Sequence, residues 1–248
     1  MIPKIIHQTW KNDKIPSEWK GFVKKLKKLN PDWSYRLWTD DDCLTFVEEE
    51  FPDFIETYKG FSKNIMRADV IRYLIMYKIG GVYLDLDYEV LKPFDFGEHR
   101  VVLPYNRQKE FGDNYDGIGN CIFASEPGHP FWRDVIDQLK LGLRKDFQKL
   151  HPDSTIETET TGPEFLTGVY FQKAYPDINT PNRMVYHPPN PLSKKEAKEI
   201  KRNGVSLGIH YCWGSWRPQS NLKRFLKHSA RQLNLMRIIH FLGFTKKT

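Results

Sequence analysis

The sequence predicts an α/β fold in which a mainly parallel central sheet is flanked by helices. Short apolar strand patterns alternate with amphipathic helix patterns from residue 2 onward, as expected for consecutive βαβ units. The 248 residues, of which 14% are aromatic, are enough for one large domain with a substantial core. No apolar run is long enough to span a bilayer, so the hydrophobic residues are expected inside a globular core.

The first elements are two strands separated by a helix. Residues 2–8 form an apolar run that predicts a buried strand. Residues 17–29 place Trp, Phe, Val and Leu on one side, which predicts a basic amphipathic helix that Asn30-Pro31 ends. Residues 34–38 alternate in polarity, which predicts the second strand.

The next elements lead to a pair of acidic residues. Thr39 or Asp40 can cap a helix that runs through residue 50, and a short helical stretch starts at Pro52. A long apolar helix pattern covers residues 62–79, with Ser62 as a possible cap. Two glycines end this helix, and an apolar strand at 82–84 then runs into Asp-Leu-Asp.

The second half of the sequence has a looser pattern. Its predicted elements are strands at 101–103 and 121–123, a polar loop at 106–120, a helix at 130–149, a turn-rich loop at 158–163, a proline-rich surface crossing at 185–191, a strand and loop at 208–216, and helix at 222–244.

The net charge of +7 is concentrated at the C-terminus. Residues 1–200 carry 28 Lys and Arg against 31 Asp and Glu, whereas the last 48 residues carry ten Lys and Arg and no acidic residue. A nucleic-acid-binding domain would carry its basic residues across a face of the body, so we expect no nucleic-acid partner.

The cysteines and the N-terminus predict a reducing compartment. Cys43, Cys121 and Cys212 are far apart and form no C-x-x-C pair, which favours neither a disulfide framework nor a zinc cluster. The first ten residues lack the apolar core of a signal peptide. We therefore expect a cytoplasmic protein.

Asp85 and Asp87 are candidates for binding a divalent cation. Residues i and i+2 of a strand point to the same face, so the two carboxylates can converge on one ligand. Mg²⁺ and Mn²⁺ prefer such oxygen ligands and fill their remaining positions with water and substrate phosphates. The alternative is a solvated acidic loop, but the preceding apolar strand favours a metal site.

Asp69 and Arg72 are neighbours on one face of the long helix. They are three residues apart within a mostly apolar stretch, so both are expected to be buried and hydrogen-bonded. Either they form an internal salt bridge or they line a pocket in which they bind sugar hydroxyls and phosphate.

The sequence resembles glycosyltransferase family 32. The resemblance rests on four segments in the family's order, namely IPKIIHQTWK, NPDWSYRLWTDDD, RADVIRYLIMYKIGGVYLDLD and HYCWGSW, and it covers most of residues 2–217. The family contains capsular-polysaccharide and initiation-type mannosyltransferases and is similar to the glucosylating domains of large clostridial toxins. It implies a GT-A fold, a nucleotide-sugar donor, Mn²⁺ or Mg²⁺, and retention of configuration at the anomeric carbon.

The resemblance implies roles for five of these residues. Asp87 would bind the metal directly, and Asp85 would contact the ribose and the metal. Asp69 and Arg72 would hold the donor sugar and its phosphate side. Trp10 matches the position whose ring stacks near the nucleotide base, although a core role for this ring stays open.

Further site residues are expected in the second half of the chain. In related retaining transferases, a late histidine and a Gly-containing loop close over the diphosphate, which makes either His210 or Ser215 a candidate metal ligand and Trp216 a candidate lid residue. His210 could equally be a satisfied core residue.

Three polar residues in loops complete the predicted site. Asn120 is the candidate at the anomeric centre, Asp116 a candidate for sugar hydroxyls, and Thr161 a candidate on the acceptor side. Ordinary turn chemistry is the alternative for the loop that carries Asn120 and Asp116.

We therefore predict a retaining hexosyltransferase with a catalytic domain at 1–217 and a basic amphipathic tail at 218–248. The expected reaction moves a sugar from a UDP- or GDP-sugar to a hydroxyl of a glycan or lipid-linked glycan in surface (capsule) polysaccharide synthesis. Front-face attack and double displacement both remain open. The tail could bind an anionic membrane surface on the inner face, or pack on the body.

Two alternatives compete with this prediction. A haloacid dehalogenase-type phosphotransferase also places Asp-x-Asp at a strand end, but its motif normally opens the chain, and here two βα units precede it. A catalytically inactive carbohydrate-binding protein would not need Asp69, Arg72, Asp85 and Asp87 together.

Overall fold

The computed structural model describes residues 1–141, 155–190 and 193–212. The strands are β1 Ile5–Thr9, β2 Ser34–Trp38, β3 Gly81–Leu84, β4 Tyr88–Val90, β5 Val101–Val102, β6 Tyr105–Arg107, β7 Gly117–Ile118, β8 Ile122–Ser125, β9 Ile178–Asn179 and β10 Gly208–His210. The helices are α1 Ser17–Leu29, α2 Asp40–Glu50, α3 Ile55–Gly60, α4 Asn64–Lys78, α5 Pro130–Lys140, α6 Ile156–Thr160, α7 Pro163–Gln172, α8 Arg183–Tyr186 and α9 Lys194–Arg202. Short 3₁₀ turns lie at Pro52–Phe54 and Lys109–Phe111.

A six-stranded sheet in the order β2-β1-β3-β8-β5-β9 forms the centre of the fold. The β1–β2, β1–β3 and β5–β9 pairs are parallel, whereas β8 runs antiparallel to both of its neighbours. The predicted α/β class with a mainly parallel sheet is confirmed. Two small antiparallel sheets, β10–β4 and β6–β7, extend from the carboxyl side of this sheet.

Helix α4 is the central helix of the larger core cluster. Nine of its residues are buried, and Tyr73 stacks on Trp132 of α5 with ring centroids 5.8 Å apart. Because α4 is apolar on most sides, it packs between the sheet and its helical neighbours, as a helix buried all round must. This packing fixes the polar residues that α4 carries.

The junction between α4 and β3 is a tight turn that only glycine fits. Gly80 and Gly81 have φ angles of 72° and 96°, which favour glycine. A Cβ on Gly81 would lie 2.5 Å from the carbonyl oxygen of Ile5. The turn therefore lets β3 lie directly beside β1 and lead its carboxyl end to the acidic residues.

His7 is a buried residue that joins three elements of the sheet. The Trp38 Nε1–H donates to His7 Nδ1 (3.0 Å), so the His7 Nε2–H donates to the Gly80 carbonyl (3.0 Å). Burial lowers the pKa of His7 to about 4, with Arg36 adding to the effect. The neutral ring thus connects β1 and β2 to the turn before β3.

Two helix starts follow the expected capping chemistry. Thr39 caps α2, and its hydroxyl and backbone exchange hydrogen bonds with Asp42 in a capping box. His129 caps α5 by accepting from the Phe131 N–H (3.2 Å).

Four predicted elements differ from the structure. Helix α6 covers part of the predicted loop at 158–163, because Thr155 caps it in a capping box with Thr158. The predicted loop at 106–120 contains the β6–β7 hairpin, and helix α4 starts at Asn64 rather than just after Ser62. Residues 185–191 were expected on the surface, but Tyr186 and His187 are buried.

The predicted C-terminal helix at 222–244 and the boundary at residues 217 and 218 lie outside the described residues, as does part of the predicted helix at 130–149. Across the part of the chain that the structure describes, the helices are too short or too polar to cross a membrane.

Candidate functional site

The candidate site centres on the turn between β3 and β4, which carries Asp85 and Asp87. The Asp85 N–H donates to the Cys121 carbonyl (2.9 Å), and the Tyr88 N–H donates to the Asp85 carbonyl (3.1 Å). These backbone bonds close the turn over Leu86, which is buried. Both carboxylates therefore point from the carboxyl end of β3, where open α/β sheets place their ligand sites.

Strand β10 brings His210 to these carboxylates. Its antiparallel pairing with β4 sets His210 opposite Tyr88, and the His210 Nε2–H donates to Asp87 Oδ1 (3.1 Å). Asp85 Oδ2 lies 3.8 Å from the same nitrogen. Of the two candidate ligands in the late loop, the structure places His210 at the site, and Ser215 lies outside the described residues.

Asp85, Asp87 and His210 can hold a divalent cation. One ligand atom from each residue lies within 4.8 Å of the others, and all three side chains are partly accessible. Two carboxylate oxygens and one imidazole nitrogen suit Mn²⁺ or Mg²⁺, with open positions left for water and phosphate oxygens. The donor set thus fits the cation that the sequence predicts.

Asp69 and Arg72 lie behind the carboxylates in a buried network. Arg72 Nη1 donates to Asp85 Oδ1 (3.1 Å), and Arg72 Nη2 lies 3.2 Å from Asp69 Oδ1. The guanidinium also donates to the Ala68 and Asn120 carbonyls and lies 4.6 Å from the ring centre of Tyr83. One cation therefore connects helix α4 to the acidic turn.

Asn120 and Thr161 complete this network. The Asn120 Nδ2–H donates to Asp69 Oδ1 (3.0 Å), and the Thr161 hydroxyl donates to Asp69 Oδ2 (3.1 Å). Both oxygens of Asp69 thus accept bonds from other parts of the protein, and Asp69 is only 5% exposed. The predicted residues Asp69, Arg72, Asn120 and Thr161 are in one connected cluster.

The electrostatics of the cluster follow from burial. Burial raises the pKa of Asp69 to about 6, against the opposing charge of Arg72. Burial likewise raises the pKa of Asp85 despite Arg72 and His210. For His210, burial opposes the charged form, but the charge of Asp87 and its hydrogen bond to Nε2 favour that form, and the pKa of His210 is raised well above the usual value.

Trp10 lies at the end of β1 beside the acidic turn. It packs edge-on against Trp19 with centroids 5.0 Å apart, in a cluster that includes Leu86. Its buried Nε1–H has no hydrogen-bond partner among the described residues. The ring is therefore near the site, while part of its surface serves the core.

One predicted residue lies apart from the cluster. Asp116 accepts from the Lys109 N–H (2.9 Å) and so stabilises the loop between β6 and β7. Trp216 lies outside the described residues.

Two tyrosines belong to the network although the sequence reading did not single them out. The Tyr83 hydroxyl donates to Asp85 Oδ1 (2.9 Å), and the Tyr73 hydroxyl donates to the Thr161 carbonyl (2.7 Å). Tyr83 could have been found from strand periodicity, because it lies two residues before Asp85 and so on the same face. Tyr73 gave no such signal, because it follows a buried helix pattern that fits a core residue equally well.

The first comparison concerns the segment that contains the acidic turn. Residues 16–108 match the glycosyltransferase sugar-binding region containing the DXD motif. In this chain the motif is Asp85-Leu86-Asp87, and the matched segment also contains Asp69 and Arg72.

Several similar proteins are mannosyltransferases by name. Inositol phosphoceramide mannosyltransferase 3 of Schizosaccharomyces pombe is 39% identical over 171 residues, which cover 68% of this chain and 45% of that protein. Mannosyl phosphorylinositol ceramide synthase SUR1 of Saccharomyces cerevisiae is 38% identical over 172 residues, which cover 69% of this chain and 42% of that protein. The chain therefore spans less than half the length of these two relatives.

Two further proteins match this chain over most of their own length. A mimivirus protein named uncharacterized glycosyltransferase L373 is 27% identical over 230 residues, covering 90% of this chain and 86% of that protein. The solved structure of PaToxG glycosyltransferase aligns with a TM-score of 0.53 at 15% identity, covering 96% of this chain and 87% of that one. The fold is of the GT-A type.

Proposed function

We propose that this protein is a metal-dependent glycosyltransferase that moves mannose from a nucleoside diphosphate sugar to a hydroxyl of a lipid-linked acceptor. The observation that carries the proposal is the convergence of Asp85, Asp87 and His210 beside the buried Asp69–Arg72 pair. The match to a DXD-containing sugar-binding region supports the same reaction class.

Asp85, Asp87 and His210 would hold Mn²⁺ or Mg²⁺. The bound ion would supply positive charge for the diphosphate that leaves the sugar. The hydrogen bond between His210 Nε2 and Asp87 Oδ1 holds the two side chains close together, and the ion would bind once Nε2 has lost its proton. Preorganised ligands reduce the cost of ordering the site when the donor binds.

Arg72 would position the acidic turn and contribute charge on the phosphate side of the donor. Its guanidinium fixes Asp85 Oδ1, which leaves Asp85 Oδ2 on the side of His210. Asn120 and Thr161 hold the carboxylate of Asp69, and we place these three residues beside the donor sugar. Because hydrogen bonds lock all four side chains, the pocket is rigid when the donor arrives.

Trp10 would contact the nucleotide base. Its ring lies at the end of β1, and Gln8 of the same strand donates to the Asp85 carbonyl (3.2 Å). The partly exposed ring surface of Trp10 provides a stacking face for the base.

The names of the relatives suggest the sugar and the acceptor. Mannose is the proposed sugar because the two yeast proteins are named as a mannosyltransferase and a mannosyl phosphorylinositol ceramide synthase. We propose an inositol phosphoceramide-like acceptor rather than the surface polysaccharide that the sequence suggested. The basic segment after residue 217 would then meet an anionic membrane, and co-sedimentation of full-length protein with anionic but not neutral vesicles tests this contact.

The central test is sugar transfer by the purified full-length protein. We would supply GDP- and UDP-sugars, including GDP-mannose, with Mn²⁺ and an inositol phosphoceramide, and detect the glycosylated lipid by mass spectrometry. Asp87→Asn keeps the size of the side chain but removes its charge, so we expect loss of metal-dependent transfer by roughly 100-fold or more.

Asp137→Asn is the matched control, because Asp137 is an exposed residue of α5 whose carboxylate lies 3.8 Å from Arg133 on the same helix surface. It should transfer sugar at the wild-type rate. Full activity of the Asp87→Asn variant would refute the assignment of the site. Release of inorganic phosphate without sugar transfer would instead indicate a phosphotransferase.

A further inference from the structure

A second cluster of metal-ligating side chains lies next to the acidic site. Cys121, His187 and His210 each offer one ligand atom, and these atoms lie within 4.8 Å of one another. Cys121 Sγ is 3.6 Å from His187 Nδ1. Cys121 and His187 are buried and have no part in the proposed transfer, so their convergence on His210 needs a separate explanation.

We propose that Cys121, His187 and His210 bind a soft divalent cation of the Zn²⁺ type, and that this ion competes with the hard cation of Asp85 and Asp87. Thiolate sulfur and imidazole nitrogen are the ligands that zinc favours, whereas Mn²⁺ and Mg²⁺ favour carboxylate oxygen. The chain would therefore carry two metal sites of different chemistry that share His210.

The observed spacing fits tetrahedral coordination. Zinc binds sulfur at about 2.3 Å and nitrogen at about 2.0–2.1 Å, so two such ligands at a tetrahedral angle lie about 3.5 Å apart. The distance of 3.6 Å between Cys121 Sγ and His187 Nδ1 matches that separation. The two buried ligands would need little movement to accept the ion.

The protonation states of the two buried ligands are compatible with this role. Burial lowers the pKa of His187 to about 3, so its ring is neutral and can donate a lone pair. Burial raises the pKa of Cys121 to about 12, so its thiol stays protonated and donates to His187 Nδ1 in the absence of an ion. Ion binding would break the S–H bond of Cys121 and form the metal–sulfur bond, and the His210 imidazolium would lose its Nδ1 proton to provide the lone pair, so two protons would pass to solvent.

The two cations would compete because both groups of ligands include His210. A neutral imidazole has one lone pair, so it can ligate a cation through only one of its two nitrogens. When the Nε2–H donates to Asp87, the lone pair is on Nδ1, and Asp87 becomes the outer carboxylate partner that metal-ligating histidines usually have. The acidic site then lacks its nitrogen ligand.

The test uses Co²⁺ as a spectroscopic substitute for Zn²⁺ in metal-free, full-length protein under reducing conditions. A thiolate bound to Co²⁺ gives an intense charge-transfer band in the near ultraviolet, which carboxylate and imidazole ligands do not give. We expect this band in the wild type, its displacement by one equivalent of Zn²⁺, and its loss in the Cys121→Ser variant.

Cys43→Ser is the matched control, because Cys43 has the same 4% exposure but lies in helix α2 in another core cluster. The Co²⁺–thiolate band of the Cys43→Ser variant should have the same intensity as that of the wild type. His187→Gln provides a second variant should Cys121→Ser fold poorly, and we expect it to weaken Zn²⁺ binding roughly 100-fold or more, because even outer-shell losses cost 10–100-fold.

Three results would overturn the proposal. They are the lack of a thiolate band in the wild type, an unchanged band in the Cys121→Ser variant, and a band lost only in a Cys212→Ser variant. The last would assign the ion to the exposed Cys212 thiol, whose sulfur lies 3.3 Å from His210 Nδ1. None of these readouts depends on sugar transfer, so failure here is distinguishable from failure of the proposed function.

Competition between Zn²⁺ and Mn²⁺ is measured separately, from the release of bound Mn²⁺. Free Mn²⁺ is visible by electron paramagnetic resonance, and Zn²⁺ should release bound Mn²⁺ from the wild type but need at least about tenfold more zinc in the Cys121→Ser variant. Simultaneous binding of both ions to the wild type would refute the sharing of His210.

Discussion

Replacing Arg72 by Met should destabilise the protein strongly, because this buried guanidinium lies between the buried carboxylate of Asp69 and the partly exposed carboxylate of Asp85. Its side chain is 4% exposed and lies 3.2 Å from Asp69 and 3.1 Å from Asp85. Removing one partner of a buried ion pair costs about 3–5 kcal/mol. We expect about 3 kcal/mol, since Asp69, with a pKa already near 6, can take up a proton when Arg72 is lost.

Equilibrium urea denaturation measures this cost, and its pH dependence tests the reason for it. In the variant, Asp69 is protonated at about pH 5.5 and carries an unpaired charge at about pH 8, so the loss of stability should grow as the pH rises. Adding Asp69→Asn to Arg72→Met removes that charge and should recover about 1–3 kcal/mol.

Arg133→Met is the control for Arg72→Met, because Arg133 is 57% exposed and pairs with Asp137 on the helix surface. Its free energy of unfolding should change by less than about 0.5 kcal/mol. A similar small change for Arg72→Met, or no recovery in the double variant, would show that the buried network is not a stabilising unit.

Two further predictions concern the turn before β3 and the residues around it. Gly81→Ala should lower the free energy of unfolding by about 2–5 kcal/mol, since the φ of 96° and the Ile5 carbonyl oxygen 2.5 Å from the added Cβ both exclude a side chain there. Gly60→Ala is the control, because open space surrounds Gly60, and it should cost less than about 0.5 kcal/mol in the same urea titrations. His7 binds a proton below pH 6.5 when unfolded but only near pH 4 when folded, so stability should fall by about 2 kcal/mol between about pH 7.5 and 5. His7→Gln should flatten that slope, and an unchanged slope would contradict the role of His7.

The elements with strong local signals could be predicted from the sequence. Helix α1 and strand β2 have the predicted bounds, because apolar periodicity and the following Asn30-Pro31 agree for α1 and alternating polarity marks β2. The helix at Ile156–Thr160 was missed although Thr155 and Thr158 form a capping box. This segment is rich in Thr and is followed by Gly-Pro, a composition that fits a turn equally well. The capping box therefore indicates this helix better than the composition does.

The site could be predicted only where its residues are close in sequence. Asp85 and Asp87 follow from strand periodicity, and Asp69 and Arg72 follow from helix spacing. The choice between His210 and Ser215 could not be made, because it depends on the pairing of β10 with β4. The contact between Cys121 and His187 joins residues 66 positions apart, and no local pattern encodes such a distance.

The antiparallel pairing of β10 with β4 also means that the two halves of the candidate site are synthesised at different times. His210 and Asp87 are 123 positions apart, so at about 5–20 residues per second His210 is added roughly 6–25 seconds after Asp87. During that interval the nascent chain already has most strands of the central sheet and the long helix α4 but lacks the imidazole that pairs with the acidic turn. A ribosome-bound chain can therefore form most of its sheet before the candidate site is complete, so formation of the scaffold and completion of the site are separate steps.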